Sequence, residues 1–206
     1  MSDNTPDLAA AARDIVQAGQ RLDARGWVPA TAGNISRRLP DGRIAITRSG
    51  CHKGFLSEQD VITVDLAGQP HDAGNRPSAE TLLHCQIYRL LPDVGAVLHG
   101  HSVASTVLSM TEPSPRILLS DYEVQKVFAG QDTHEATVPV PLFPNDQDIA
   151  RLAREVEPHV ADMPAGYIIR GHGVYVWGRD MGMALARLEG LEFLLACELE
   201  RRKLKA

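Results

Sequence analysis

Apolar residues recur every three to four positions along several stretches of the chain, which is the spacing of one buried helix face. The first stretch ends at Gly26, and Asp3 or Asn4 ahead of Pro6 is its candidate N-cap. The last stretch is the longest and begins after Asp180. The predicted helices cover residues 8–25, 79–90, 103–110, 122–128, 146–156 and 180–203.

Strands are predicted where apolar and β-branched residues form short runs between turn residues. These runs cover residues 31–36, 43–47, 61–66, 94–99, 136–140, 167–170 and 174–177. Pro139 places its run at a sheet edge or a strand end, because proline lacks the N–H that a strand ladder needs. Several strand pairs are joined by short turns. The pattern therefore predicts an α/β fold, a single domain over residues 1–206, in which helices cover a central mixed, mainly antiparallel sheet.

The composition is that of an ordinary globular protein and narrows the possible partners. The chain has 206 residues, of which 44% are hydrophobic and 23% charged, and a formal net charge of −5. This balance argues against a nucleic-acid-binding surface and against an anchor for anionic membranes. The acidic N-terminus is unlike a secretory signal, and no apolar run approaches the roughly 20 residues of a membrane helix. Three scattered cysteines favour reduced thiols, so a cytoplasmic location is expected.

Two of the eight histidines, His99 and His101, are separated by one glycine at the end of an apolar run. In extended chain such residues face the same side, about 6.6 Å apart at Cα, so both imidazoles can approach one cation. His172 lies between two glycines and two apolar runs and is the candidate third ligand. The alternative is a turn histidine without a ligand. Three neutral imidazoles leave a coordination position open, which is typical of catalytic metal sites.

The other titratable residues have both a structural and a functional interpretation. Glu80 opens a predicted helix, where the helix dipole alone favours an acid. Glu123 also fits a solvated helix face. His84 lies four residues after Glu80 on the same face, where a structural role is favoured. The remaining histidines fall in polar stretches and are predicted to be solvated: His52, His71, His134 and His159.

Two segments have the composition of anion-binding turns. Residues 30–36 (ATAGNIS) combine a glycine with a hydroxyl and an amide. Residues 47–54 (TRSGCHKG) add hydroxyls, backbone N–H groups and three basic side chains. Turns without any ligand use the same residue types, so either segment alone is a weak signal.

Taken in order, these motifs resemble those of the class II aldolase/adducin family. The matching elements are TAGNIS, TRSG, RPSAE, AVLHGHS and RGHGVYVWG, followed by the long C-terminal helix, and they extend from about Leu8 to Lys203. Within the family the chain is most similar to the dehydratases of methionine salvage, through GWVPATAGN, SGCHKG and HGVYVWG. The resemblance implies a three-layer α/β/α sandwich and a cyclic homotetramer with active sites between subunits.

The resemblance also implies roles for particular residues. It places one divalent metal ion, usually zinc, on His99, His101 and His172. Glu80 matches the catalytic glutamate of the aldolases, and Glu123 matches the acid that transfers a proton in the dehydratases. The substrate phosphate is expected on loops that contain Gly33, Asn34, Ser49, Gly50 and Ser78, with Lys53 as an addition in the subfamily.

The implied reaction is the loss of water from 5-methylthioribulose-1-phosphate, which gives 2,3-diketo-5-methylthiopentyl-1-phosphate, so the chain is expected to be a hydro-lyase. The C3 proton is acidic because the C2 ketone can take up charge, which a metal on the C2 and C3 oxygens would stabilise. A base removes that proton and an acid protonates the departing C4 hydroxyl. We assign the base to Glu80 and the acid to Glu123. For Glu123 to carry a proton at neutral pH, burial would have to raise its pKa.

Two alternatives stay open. The first is an aldolase or 4-epimerase acting on a sugar phosphate of the fuculose-1-phosphate or ribulose-5-phosphate type, with the same metal. The second is a non-catalytic, adducin-like module, against which the complete histidine set and both acids count. Ala79 stands where many family members have a second serine, so one phosphate contact of the family is missing.

Overall fold

The helices and strands alternate along the chain in the order that the apolar pattern predicts. The computed structural model describes residues 6–205, so the candidate caps Asp3 and Asn4 lie outside the described part. The strands are β1 (Asn34–Arg38), β2 (Ile44–Thr47), β3 (Val61–Val64), β4 (Ala96–Gly100), β5 (Arg116–Ser120), β6 (Thr137–Phe143), β7 (Tyr167–Ile169) and β8 (Gly173–Gly178). The α-helices are α1 (Pro6–Ala24), α2 (Thr81–Leu90), α3 (Val103–Thr111), α4 (Ile149–Val156) and α5 (Met181–Lys203).

Within the described residues the strands form one sheet in the order β3-β2-β1-β4-β8-β7-β6-β5. Every neighbouring pair is antiparallel except β6 and β7, which are parallel. The predicted mixed, mainly antiparallel sheet is therefore confirmed. β4 lies near the middle of the order, between β1 and β8, so the histidine motif at its end has strands on both sides.

Helices cover both faces of this sheet. Along β4, Leu98 packs in the cluster that contains buried residues of α1, α3 and α5, whereas Val97 packs with α2 and α4. This alternation is that of a strand buried on both faces. The result is the expected three-layer sandwich. None of the helices among the described residues is long and apolar enough to span a membrane.

Two predicted elements differ from those observed, and one observed strand was not predicted. The segment 122–128 is a 3₁₀ turn over Glu123–Val127, not an α-helix. Strand β5 was not predicted, although its buried Ile117 and Leu119 alternate with more exposed neighbours. Strand β6 is longer than predicted and is not at the sheet edge. Pro139 is nevertheless accommodated, because that part of β6 pairs only with β5, and the pairing with β7 begins at Leu142.

Candidate active site

The three histidines predicted as metal ligands meet at one end of β4. One ring nitrogen from each of His99, His101 and His172 lies within 4.8 Å of the others. His99 lies in β4, His101 directly follows it, and His172 lies in the turn between β7 and β8. Because β8 pairs with β4, these strands bring residues distant in sequence into one cluster.

The ring of His99 is oriented by two contacts. Its Nδ1 donates to the carbonyl oxygen of Val174 at 2.8 Å, which leaves Nε2 with a lone pair directed into the cluster. Its face stacks on the Tyr175 ring with centroids 4.1 Å apart. Complete burial lowers the pKa of His99 well below its usual value. The imidazole is therefore neutral, as a metal ligand must be.

His101 is also held in a neutral form. Its backbone N–H donates to the carbonyl of Trp27 at 2.6 Å, and the backbone of His172 hydrogen-bonds its ring. Burial and the neighbouring His172 lower the pKa of His101 to about 4. The cluster therefore offers imidazole lone pairs at neutral pH.

Glu80 lies against the histidine cluster as the N-cap residue of α2. One carboxylate oxygen is 2.8 Å from His172 Nε2, and the other is 3.5 Å from His99 Nε2. The amide of Asn34 donates to the second oxygen at 2.7 Å. Burial alone raises the pKa of Glu80, but the hydrogen bonds from His172 and Asn34 act against burial, and the pKa lies below the ordinary value. The side chain is thus a carboxylate at neutral pH.

These residues fit a divalent metal ion. The donor set is three imidazoles with converging nitrogens, and the buried Nε2 of His99 has no hydrogen-bond partner among the described residues. Three-histidine sets bind Zn²⁺ and similar ions at about 2.0–2.1 Å per nitrogen and leave further positions open.

A cavity of about 300 Å³ opens beside the cluster. All six residues predicted to bind phosphate line it, together with Glu80, His101 and His172: Gly33, Asn34, Ser49, Gly50, Lys53 and Ser78. Four further lining residues were not predicted as site residues, although all of them lie in the two anion-type turns. They are Thr31, Ala32, Thr47 and Arg48.

The turn before β1 fits closely under the histidine strand. Gly33 has a φ of +76°, and a Cβ there would lie 2.7 Å from the carbonyl oxygen of His99. Glycine is required by both the conformation and the contact. Residues 31–33 were predicted as the start of a strand, but β1 begins only at Asn34, which pairs with His99. The turn can therefore form the cavity wall.

Lys53 is 2% exposed, unusual for a lysine. Its ammonium donates to the carbonyl oxygens of Thr31 at 2.8 Å and Cys51 at 2.6 Å, and burial lowers its pKa. An ammonium has three protons, so one remains for an anion in the cavity. The same side chain also ties the two anion-type turns together.

A second cavity, of about 340 Å³, adjoins the first. It shares four lining residues with the first: Ser49, Ser78, Glu80 and His172. Its further walls combine Ala79 and the apolar side chains of Ile149 and Leu152 from α4 with charged and polar side chains that include Arg76 and Asp146. Glu80 and His172 therefore stand between a polar cavity and a partly apolar one.

Glu123, the predicted proton donor, is not brought to either cavity by this chain. Its side chain is 73% exposed and accepts from Lys126 Nζ at 2.6 Å. The hydrogen bond from Lys126 lowers the pKa of Glu123. The buried environment that would raise it is absent within the single chain, so any such environment has to come from another subunit.

The remaining histidines agree largely with their predicted roles. His84 is fully buried, its Nδ1 hydrogen-bonds Ser36 Oγ at 2.7 Å, and burial lowers its pKa to about 3. Its role is therefore structural. His52 differs from the prediction, because it is half-buried and its ring accepts from the backbone of Gly54. The others are exposed, as predicted: His71, His134 and His159.

Comparisons with known proteins agree with this architecture. Residues 13–199 match the family described as class II aldolase and adducin N-terminal domain. A methylthioribulose-1-phosphate dehydratase of Gluconacetobacter diazotrophicus is 70% identical over 97% of this chain and 98% of its own length. The dehydratase of the same name from Pseudomonas paraeruginosa is 52% identical, with 97% of each chain covered.

Solved structures show the same fold. L-fuculose-1-phosphate aldolase from Thermus thermophilus superposes with a TM-score of 0.76 at 27% identity, over 96% of each chain. The YgbL protein of Escherichia coli superposes with a TM-score of 0.80 at 27% identity, over 92% of this chain and 88% of its own.

Proposed function

The chain belongs to the class II aldolase and adducin family, and from this premise we propose that it dehydrates 5-methylthioribulose-1-phosphate to 2,3-diketo-5-methylthiopentyl-1-phosphate in methionine salvage. The observation that carries the proposal is the position of Glu80. Its carboxylate lies between the histidine cluster and a cavity lined by anion-binding groups. The names of the two dehydratase relatives support the choice of substrate.

Glu80 is the base that removes the C3 proton. Asn34 holds one carboxylate oxygen and so fixes the direction of the group, and the low pKa keeps it charged. A carboxylate of low pKa is a weak base, so the C3 proton must be acidified by charge uptake at the C2 oxygen. The divalent ion held by the three histidines supplies that Lewis acidity when bound, and we expect Zn²⁺ because imidazole ligands suit it.

The phosphate group is placed on the turns before β1 and after β2. Backbone N–H groups, the hydroxyls of Ser49 and Ser78, and the free N–H of Lys53 face this part of the cavity. Arg48 also lines it, with its guanidinium paired to Asp60 at 2.8 Å. The local groups therefore offset the net negative charge of the chain.

The methylthio end of the substrate is placed in the adjoining cavity. Ala79, Ile149 and Leu152 give part of that cavity an apolar wall, against which a thioether can pack. The rest of its lining is polar and includes Arg76 and Asp146. Glu80 and His172 lie between the two cavities, at the level of the reacting carbons of a substrate that spans both.

We propose that Glu123 acts in the active site of a neighbouring subunit of a homotetramer. Within its own chain it is exposed and close to Val124, which is 39% exposed. Val103, Val107 and Met110 form an exposed apolar face of α3 at helical spacing. Such faces are typical of subunit interfaces. Burial in that interface would raise the pKa of Glu123 and make it a proton donor to the C4 hydroxyl.

We also expect the protein to work in the cytoplasm. Cys51, Cys85 and Cys197 are free thiols. Thiols stay reduced in that compartment, which supports the expectation.

A sugar-phosphate aldolase is the second candidate. The solved L-fuculose-1-phosphate aldolase has the same fold, and the motif resemblance matches Glu80 to the catalytic glutamate of the aldolases. An aldolase breaks the C3–C4 bond, whereas a dehydratase breaks the C4–O bond. The products therefore distinguish the two reactions.

The test is incubation of metal-loaded protein with 5-methylthioribulose-1-phosphate, followed by mass spectrometry of the products. We expect a product lighter by one water. His99→Ala should lose both bound metal and turnover, while His71→Ala, at an exposed position, should keep both. Two carbon fragments would identify an aldolase instead. No product from fully loaded protein would contradict the proposal.

A further inference from the structure

Glu192 is a buried acid that the proposed mechanism does not use. It lies in the middle of α5, is 2% exposed, and burial raises its pKa to about 7. Its Oε2 accepts from Ser102 Oγ at 2.5 Å, while its Oε1 has no hydrogen-bond partner among the described residues. Burying a carboxyl group with one oxygen unpaired is unfavourable. A function for the contact between Glu192 and Ser102 would explain why an acid stands at this position.

Ser102 is the residue that follows the metal-site histidine His101. It is the N-cap of α3, and its hydroxyl oxygen accepts from the backbone N–H of Ser105 at 2.9 Å. The single hydroxyl proton has two acceptors within reach, and Glu192 Oε2 at 2.5 Å is closer than Ser105 Oγ at 3.0 Å. These two hydrogen bonds fix the Ser102 rotamer and its extended backbone, with φ −100° and ψ 160°.

The backbone of His101 is thus held from both sides. Its own N–H donates to the carbonyl of Trp27 at 2.6 Å. On its C-terminal side, the next residue is fixed by Glu192 and by the start of α3. The direction of the His101 ring depends on both anchors, because a side chain follows the backbone that carries it.

We propose that Glu192 is a positioning residue for the metal site, which acts through the hydroxyl of Ser102 to fix the direction of His101. The inference rests on the metal site of the proposed function. Outer partners of metal ligands affect affinity by about 10–100-fold. Since Glu192 acts through a backbone segment and not on the ring itself, we expect an effect of about tenfold.

Glu198 provides a matched control in the same helix. It is as deeply buried as Glu192 but interacts with Tyr122 and Arg201, away from the cavities. A merely structural role for Glu192 would make the two glutamates equivalent. Under the proposal only Glu192 affects the metal.

The experiment measures Zn²⁺ affinity by competition with a chelator, on metal-stripped protein, together with the thermal midpoint. Glu192→Leu should weaken Zn²⁺ binding about tenfold, while Glu192→Gln should stay within about threefold, because its amide oxygen still accepts from Ser102. Glu198→Leu should lower the thermal midpoint and leave the affinity unchanged. Ser102→Ala is a smaller change for the fold and should weaken Zn²⁺ binding by about the same factor as Glu192→Leu. The double variant Ser102→Ala/Glu192→Leu should bind Zn²⁺ no more weakly than either single variant, because both changes remove the same contact.

Unchanged affinity in Ser102→Ala overturns the proposal, even if Glu192→Leu fails to fold. Equal loss of affinity in Glu192→Leu and Glu198→Leu also overturns it, because the effect would then follow stability alone. A parent protein that binds no divalent ion overturns both this inference and the proposed metal site. A parent that binds Zn²⁺ but does not dehydrate the methylthio substrate contradicts only the reaction.

Discussion

The charge of each residue in the site is decided by its immediate neighbours. Burial keeps His99 and His101 neutral, which suits metal ligands, while Asn34 and His172 help to keep Glu80 ionised, which suits a base. Lys53 keeps two ammonium protons on backbone carbonyls. The same residue types would have ordinary pKa values on a solvated surface.

Lys53→Ala tests the phosphate site at the residue scale. A hydrogen bond to a charged group contributes about 1.5–3 kcal/mol, so KM for the phosphorylated substrate should rise at least tenfold. The effect on kcat should be smaller, because the contact is made equally in the ground and transition states. Steady-state kinetics and inhibition by inorganic phosphate check both effects. A variant whose KM matches that of the parent would exclude Lys53 from phosphate binding.

Glu192→Gln tests the raised pKa of Glu192. The folded protein holds this proton up to about pH 7, whereas the unfolded chain releases it near its ordinary value of 4.5. The contribution of Glu192 to stability therefore falls as pH rises from about 4.5 to 7, by up to ~3 kcal/mol, and is constant above that window. Urea unfolding of metal-free parent and variant should show this difference. A difference that does not vary with pH would contradict it.

At the scale of elements, the site depends on how closely β4 and β8 approach each other. A Cβ on Gly173, in β8, would overlap the carbonyl oxygen of Gly100 and lie 3.1 Å from Cε1 of His99. The strand ends that carry His99 and His172 can therefore meet only if this position has no side chain.

Gly173→Ala should separate the ends of β4 and β8. Overpacking of this kind costs about 1–3 kcal/mol, and the displaced histidines should bind Zn²⁺ at least tenfold more weakly. Thermal unfolding and chelator competition measure the two effects. Gly74→Ala is the control, because a Cβ there meets no atom within 4 Å. Parent-like Zn²⁺ affinity in Gly173→Ala would show that the close approach is not needed.

In the molecule as a whole, the proposed metal ligands, the proposed base and the proposed phosphate-binding residues lie together, whereas the predicted acid lies elsewhere. Glu123 is exposed, and α3 presents an exposed apolar face. Both observations favour active sites shared between subunits.

Mixing two inactive variants tests this sharing. Glu123→Gln and His99→Ala should each be inactive, but refolding them together should restore activity at sites that combine an intact histidine cluster with an intact Glu123. In a cyclic tetramer with random assembly, roughly one quarter of the sites are restored. Each variant refolded alone is the control. No recovery in mixed tetramers would place Glu123 outside the shared site.

Most helices and strands, and the kinds of reactive side chain in the site, could be predicted from the amino-acid sequence. The helix predicted over 180–203 is observed as Met181–Lys203, since a long apolar stripe can be buried in few other ways. His99, His101 and His172 could be predicted as candidate metal ligands because strand ends and glycine-flanked turns are local features of the sequence. The two anion-type turns are local features as well, whereas the six phosphate-binding residues were expected from the family resemblance. All six line the cavity, and their binding of phosphate stays a prediction.

Which of several similar residues is buried, and which atoms it contacts, depends on the folded chain and could not be predicted from the sequence. Along α5, Glu192 and Glu198 are buried while Glu200 is exposed, although all three are glutamates on one helix. Whether an acid is buried depends on α3 and on the turn beginning at Glu123, which pack on α5 from distant parts of the chain. Strand β5 escaped prediction for the same reason, because its pairing with β6 joins separate segments of the chain. The exposed position of Glu123 agrees with its local sequence, whereas the catalytic role implied by the family resemblance depends on contacts that a single chain does not contain.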